Sequence, residues 1–268
     1  GLPDDRTVGN SDMMPLWALD HLVDDPTRHV SLHWDGLNSS LHETVLAGAI
    51  GDGLTYQSLQ DATPNLQAIT DFIRLQGPPS SPFSSRLPTD DPYHVDAEDI
   101  LAGRLIYEKH CAECHDPDGH RFRTVIPASE LGTDRHRIDM WTQAARDRYT
   151  NYEDGYRWGF HAFHKTNGYI ANELTGLWLR GPYLHNGSVP TLRALLSPPS
   201  ERPRLFRRGS DLIDPVNGGF VSTPDSSANR LEFDYDTTVM GNGNEGHLYG
   251  TELTEAGKRQ LLAYLKTL

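Results

Sequence analysis

Two cysteines and a histidine lie close together near the middle of the chain, as Cys111-Ala112-Glu113-Cys114-His115. These two cysteines are the only ones among 268 residues. Two thiols three positions apart on one helical turn can reach the two vinyl groups on one edge of a porphyrin, and the adjacent histidine can direct its imidazole at the iron. This spacing is that of the covalent c-type haem attachment sequence. The sequence therefore predicts one covalent haem c at Cys111 and Cys114, with His115 as an iron ligand.

Two other kinds of site use a pair of cysteines at this spacing, and the surrounding residues argue against both. A structural zinc site needs a second pair of ligands at similar spacing, and no other cysteine exists in the sequence. A thioredoxin-like redox pair would follow a strand, whereas the residues before Cys111 have the pattern of a helix. Haem attachment is therefore the favoured interpretation.

Helical patterns precede this motif and end the chain. Residues 96–108 carry apolar side chains at helical spacing and acidic residues in the first turn. Residues 254–268 can be capped by Thr254 and carry one stripe of leucines. A third helix is predicted over residues 64–75. Alternating strand patterns are scarce, so the predicted fold class is mainly α.

The helices before the motif and at the end of the chain resemble the crossing first and last helices of class I cytochromes c. In that family a small residue on the first helix lets an aromatic residue on the last helix pack closely. Gly103 and Tyr264 fit these two roles. The resemblance implies a class I cytochrome c-like haem domain with long loops, and we expect a partial N-terminal helical segment in addition.

The distribution of helix-breaking residues suggests a domain boundary. A stretch rich in Gly, Pro and Ser begins at Gly77, and the residues up to Pro92 remain polar. We therefore expect a partial helical segment over 1–80 that resembles the tail of a preceding cytochrome c domain, a linker over 81–95 and a c-type cytochrome domain over 96–268. Residues 198–250 show no clear element and are expected to wrap a functional face.

Three further stretches are similar to sequences of one superfamily. Residues 181–192 read GPYLHNGSVPTL, residues 202–206 read RPRLF, and residues 243–247 read GNEGH. They resemble the C-terminal haem domain of the bacterial di-haem cytochrome c peroxidase/MauG superfamily, in particular its rubber-oxygenase-like branch. The resemblance covers most of 95–268 well and 10–80 loosely. Calcium is a further ion that this resemblance implies, and no other feature of the sequence indicates it.

The chain departs from that superfamily because its members carry two Cys-x-x-Cys-His motifs and this chain carries one. Residues 33–36, HWDG, resemble a segment that follows the first haem in those proteins, and they are also similar to residues 185–188, HNGS. The sequence begins without a methionine or an apolar leader. We therefore expect a fragment of a longer protein, a subunit whose partner supplies the other haem, or a lineage that lost it.

The predicted iron ligands are His115 on one side and His247 on the other. His115 should bind through Nε2 while a backbone carbonyl holds its other nitrogen. His247 lies in a glycine-rich loop that can approach a flat macrocycle, and the resemblance places a histidine ligand there. Met240 is the alternative and would give a His/Met haem of higher potential. Arg180 and Arg193 are candidate partners of the haem propionates, although a surface salt bridge would use the same guanidinium geometry.

The charge of the chain limits its partners. The sequence has 24 Lys and Arg against 37 Asp and Glu, which gives a net charge of −13 at pH 7. Such a chain is unsuited to nucleic acid and fits a basic redox partner protein, or a second haem-bearing domain or chain. No apolar run approaches the roughly 20 residues of a transmembrane helix. Because covalent haem attachment takes place after export, we expect a periplasmic or secreted protein.

Three functions are consistent with these features. One-electron transfer through a covalent, six-coordinate haem is the primary prediction. Haem peroxidase or oxygenase chemistry is the alternative, with a second haem on a missing domain or partner chain. A structural haem module that docks a redox partner by its acidic surface is the third. A strong sixth ligand favours the first function, and an open sixth position favours the second.

Overall fold

The structure is a computed structural model that describes residues 8–19, 31–151, 160–223 and 231–268. The helices of this part of the chain are mostly short. In chain order they are α1 (Leu41–Gly51), α2 (Tyr56–Arg74), α3 (Ala97–His110), α4 (Ala112–His115), α5 (Ala128–Leu131), α6 (His136–Asp139), α7 (Gln143–Thr150), α8 (Leu192–Leu195) and α9 (Glu255–Lys266). The strands are β1 (Val125–Pro127), β2 (Gly168–Ile170), β3 (Leu205–Arg208) and β4 (Phe233–Asp236).

The fold class predicted from the sequence, a mainly α, class I cytochrome c-like domain with a partial N-terminal helical segment, is wrong. The structure is 36% helical and 11% strand, and it contains small sheets. Strands β1 and β2 pair antiparallel, as do β3 and β4. Each strand has only three or four residues, so no alternation of apolar and polar side chains can develop in the sequence. Strands β3 and β4 also lie within the stretch 198–250 that the sequence predicts to be irregular, of which residues 224–230 fall outside the described residues.

Helices α3 and α9 cross at Gly103. A Cβ atom at this position would lie 1.9 Å from the backbone oxygen of Gln260 and 2.9 Å from Cβ of Tyr264, so the approach requires glycine. The Tyr264 ring packs on Tyr107 with 5.2 Å between ring centres. The predicted close packing of Gly103 and Tyr264 is therefore confirmed. Thr254 caps α9 as predicted, by accepting a hydrogen bond from the Gly257 amide.

The apolar stripe of α9 faces one of the buried clusters. Leu261 and Leu265 pack there with Tyr107 of α3 and Leu192 of α8. Because α3 ends at His110, directly before Cys111, this cluster fixes the cysteine motif relative to α8 and α9.

Helix α2 begins eight residues before the predicted start at Pro64. Pro64 is favoured in a first helical turn, but here it lies inside the helix. Leu59 and Leu66 of α2 are buried against α1 and against Phe160 and Phe163. The segment before residue 80 is therefore packed onto residues far along the chain.

The predicted linker contributes to the core. Phe83 and Val95 are buried in one cluster with Trp178 and Ala263. The division into domains stays a prediction, and residues 1–7 and 20–30 of the predicted segment 1–80 lie outside the described residues. None of the helices in the described ranges is long and apolar enough to span a bilayer.

Residues 32–38 and 183–189 have the same local backbone arrangement. Both segments are closed by an isolated antiparallel bridge between their end residues, Leu32–Asn38 and Tyr183–Val189. Both contain a turn in which an amide donates over 3.1 Å to a carbonyl, Gly36 to His33 and Gly187 to Leu184. Both lead to a helix with a hydroxyl N-cap, Ser40 and Thr191. This shared structure aligns His33 with Leu184. The sequence similarity aligns His33 with His185, so the two alignments differ by one position.

Candidate functional site

The cysteine motif forms a helical turn at the end of α3. The amide of Cys111 donates to the Tyr107 carbonyl, and the amides of Cys114 and His115 donate to the Cys111 carbonyl. Both cysteines are free thiols and line the same cavity as His115. Burial, followed by the nearby Cys114, raises the pKa of the Cys111 thiol to about 12.

The His115 side chain has a fixed tautomer. Its Nδ1 lies 2.6 Å from the backbone oxygen of Asn172. Because a carbonyl oxygen only accepts, Nδ1 carries the proton and Nε2 is left with its lone pair. Burial is the largest influence on the His115 pKa and lowers it, while the hydrogen bond to Asn172 opposes this change. A neutral imidazole with the second nitrogen held by a carbonyl is the form that binds a metal.

His247 is placed by close backbone contacts with another loop. Its amide donates to the Leu131 carbonyl over 2.8 Å. A Cβ at Gly246 would lie 2.4 Å from the carbonyl carbon of Gly132, so these two loops touch at their backbones. Burial, the charge of His115 and the charge of Arg202 lower the His247 pKa to about 4. His247 is therefore neutral at pH 7, and its Nδ1 is buried without a hydrogen-bond partner among the described residues.

The structure brings the rings of His115 and His247 together. Their centres are 6.3 Å apart, and the ring planes are inclined by 50°. Two imidazoles that bind one ion between them, each at about 2 Å, have ring centres roughly 6 Å apart. The separation of these two rings therefore fits an ion bound between them.

A cavity of about 440 Å³ contains both histidines and both cysteines in its lining. Its size is in the range of small-molecule and cofactor sites, roughly 300–1,000 Å³. Most of the remaining lining is apolar, as such sites require for excluding water. The aliphatic residues include Ile126, Leu131, Ile170, Leu177, Leu192 and Leu261.

The other predicted site residues lie in different environments. Arg180 lines the cavity, and one of its Nη atoms donates to the Glu173 carbonyl. Burial is the main cause that lowers the Arg180 pKa to about 10. Arg193 instead pairs with Glu255 at the start of α9. The Met240 side chain is 60% exposed and is not part of the cavity lining.

Sequence reasoning missed two buried polar residues close to this wall. Arg123 is only 4% exposed, and its Nε and Nη1 atoms have no hydrogen-bond partner among the described residues. The side-chain amide of Asn172 is also buried, with both polar atoms unpartnered in the same part of the chain. Burial and the charge of Arg180 lower the Arg123 pKa to about 10, against the attraction of Glu173. Buried donors without partners are costly and fit a ligand that carries carboxylates.

The structure places His185 in the cavity lining. Its ring stacks on Tyr169 at 4.0 Å between ring centres, and its Nε2 lies 3.0 Å from the Tyr169 hydroxyl. That hydroxyl also lies 2.7 Å from the Asp134 carbonyl, to which it donates. Burial lowers the His185 pKa to about 4. No pattern in the sequence links Tyr169 to His185.

An N-terminal segment, residues 12–17, covers part of the cavity. The indole nitrogen of Trp17 donates to the Thr175 carbonyl, and that of Trp34 donates to the Asp12 carbonyl, each over 2.9 Å. The Asp12 carboxylate pairs with Arg208 at 2.6 Å. These contacts attach residues 12–17 to two separate parts of the wall.

Two proteins of Sinorhizobium fredii (strain NBRC 101917 / NGR234) are similar to this chain. Uncharacterized protein y4iJ is 41% identical over 109 residues, which are 37% of this chain and 18% of that protein. Uncharacterized protein y4iM is 28% identical over 188 residues, which are 60% of this chain and 42% of that protein. The chain thus spans less than half the length of either relative.

A family comparison matches the centre of the site. Residues 168–207 match the family described as RoxA-like, cytochrome c-like. This segment contains Asn172, whose carbonyl holds His115, together with Arg180, His185 and Leu192 of the cavity lining. Residues 168–207 are therefore similar to that family.

Proposed function

We propose that this chain is a c-type haem protein that transfers single electrons through one covalent haem. Cys111 and Cys114 would hold the macrocycle, and His115 and His247 would bind the iron from opposite sides. The observation that carries this proposal is the pair of imidazoles whose ring centres lie 6.3 Å apart, in a cavity that both cysteines line.

The residues of the chain have separate tasks in this proposal. The Asn172 carbonyl orients the His115 imidazole and keeps its proton on Nδ1. Aliphatic side chains such as Leu192 and Leu261 exclude water from the cavity. Arg180, with Arg123 close by, would neutralise carboxylates of the cofactor, for which a guanidinium has matching geometry. A bound haem supplies reversible one-electron redox chemistry.

The alternative is peroxidase or oxygenase chemistry at this haem, and it requires an open sixth position. The His247 ring lies 6.3 Å from the His115 ring, which supports a filled sixth position and therefore electron transfer at this site. Membership of the di-haem peroxidase superfamily, a second haem on another domain or chain, and calcium stay predictions. The acidic charge of the chain supports a basic redox partner, and the need for export before haem attachment supports a periplasmic or secreted location.

The optical spectrum of the purified holoprotein tests the proposal. The ferric protein should be low-spin and unaffected by cyanide or peroxide. Replacing His247 by alanine should produce a high-spin, five-coordinate haem that binds cyanide. Met240→Leu is the matched control, because that side chain is exposed outside the cavity, and it should retain the wild-type spectrum.

Three results would contradict this assignment. A wild-type protein that is high-spin and reacts with peroxide would favour the catalytic alternative. A His247→Ala protein with an unchanged low-spin spectrum would eliminate His247 as the ligand, and loss of the low-spin spectrum in Met240→Leu would favour the methionine.

A further inference from the structure

Arg202 is a buried arginine outside the cavity lining, and it contacts the loop that carries His247. Its side chain is 3% exposed and, among the described residues, donates to backbone carbonyls alone. Nε donates to Ser197 over 3.1 Å, and one Nη donates to Leu195 over 3.3 Å. The remaining donors reach the carbonyls of Asn244, Gly246 and His247.

The number of these contacts explains why the residue is an arginine. A guanidinium has five N–H donors in one rigid plane. The five donors of Arg202 are matched by five carbonyl oxygens, two near the end of α8 and three in the loop 244–247. Because Leu192 and Leu195 of α8 line the cavity, these bonds fix the loop relative to the cavity wall.

The backbone of His247 needs such support. Its φ of 48° lies in the left-handed region, which residues other than glycine rarely adopt. Such a conformation persists only where the surrounding structure imposes it. On one side, the His247 amide is bonded to the Leu131 carbonyl. On the other side, Arg202 holds the carbonyls of Gly246 and His247. The backbone of Gly246 and His247 is thus held between the Leu131 carbonyl and the Arg202 guanidinium.

We infer that Arg202 is a positioning residue that holds the His247 imidazole opposite His115 through the carbonyls of the loop 244–247. The inference rests on the proposed function, in which His247 is the sixth ligand. It states that Arg202, which is outside the cavity lining, determines where this ligand lies. Arg202 is the first residue of the segment RPRLF, residues 202–206, so the inference assigns a role to this segment.

The test compares two arginine variants in the holoprotein. Arg202→Met retains an unbranched side chain but removes the guanidinium with all five donors. Arg207→Met is the matched control, because Arg207 is half-buried on β3 and pairs with Asp234 across the small sheet. The affinity of the ferric haem for added imidazole should rise in Arg202→Met, by about 10- to 100-fold, which is the size of the effect that groups orienting a metal ligand have on metal affinity. It should stay unchanged in Arg207→Met.

Two further measurements separate positioning from general folding. Arg202→Lys retains the positive charge but has three donors on a flexible stem, so its imidazole affinity should lie between those of the wild type and Arg202→Met. Hydrogen exchange of the holoprotein should become faster in amides 244–248 of both Arg202 variants, while helices α3 and α9 keep wild-type protection.

The outcomes distinguish this inference from the proposed function. If His247→Ala loses the low-spin spectrum but folded Arg202→Met keeps wild-type imidazole affinity, the positioning role is refuted and the ligand assignment stands. If His247→Ala leaves the spectrum unchanged, the ligand assignment itself fails. Failure of both Arg202 variants to accumulate as holoprotein, with normal yield of Arg207→Met, would overturn positioning in favour of a folding role.

Discussion

Replacing Gly103 by alanine should destabilise the protein, although alanine is the better helix former. The added Cβ would lie 1.9 Å from the Gln260 oxygen, whereas ordinary contact begins at 3.4 Å. Helices α3 and α9 must therefore move apart by about 1.5 Å at this point. Overpacking of this kind costs about 1–3 kcal/mol, and the helical preference of alanine returns up to about 1 kcal/mol. We expect a net loss of about 1–2 kcal/mol in the free energy of unfolding.

The same substitution at Gly48 is the control. Gly48 lies inside α1, and a Cβ there would meet nothing within 4 Å. Gly48→Ala should therefore stabilise the protein by about 0.5–1 kcal/mol. At about 2–4 °C for each kcal/mol, thermal unfolding followed by circular dichroism should show a lower midpoint for Gly103→Ala and a slightly higher one for Gly48→Ala. A Gly103→Ala midpoint equal to or above that of the wild type would refute the close crossing of α3 and α9.

Two further predictions concern the cofactor. Arg180→Met should lower the haem reduction potential, because it removes a positive charge that favours the reduced state; at about 10 Å and an effective dielectric of about 20 the change is on the order of 1 kcal/mol. Arg193→Met is the control, because Arg193 pairs with Glu255 away from the cavity lining. It should leave the reduction potential unchanged in the same voltammetric titration. Equal shifts of the potential in both variants would contradict the placement of Arg180. Replacing Cys111 and Cys114 together by serine should abolish haem staining of the denatured chain, since no thioether can form; undiminished staining would disprove covalent attachment at this motif.

The helical turn of the cysteine motif and the helices α3 and α9 could be predicted because their signals are local. Cys111, Cys114 and His115 lie within one helical turn, so their spacing alone brings them together. The cap of α9 at Thr254 depends on residues three positions apart. The contact of Gly103 with Tyr264 joins residues that are distant in the sequence, and it was predicted through the resemblance between helix pairs rather than from a local signal.

The rest of the site depends on contacts between distant residues. Strand β1 pairs with β2 through Val125 and Ile170, and three residues carry no readable alternation. The backbone of His247 is bonded to Leu131 and Arg202, which no spacing rule connects to it. Arg123 has no signal in the sequence because an isolated arginine is ordinary, and only its burial without partners makes it notable.

Near-infrared magnetic circular dichroism of the ferric holoprotein tests the central claim most directly, because the position of the charge-transfer band identifies the pair of axial ligands. The account predicts the band of a haem bound by two imidazoles, from His115 and His247, whose rings lie 6.3 Å apart. The band of a His/Met haem, or the spectrum of a high-spin haem, would contradict it.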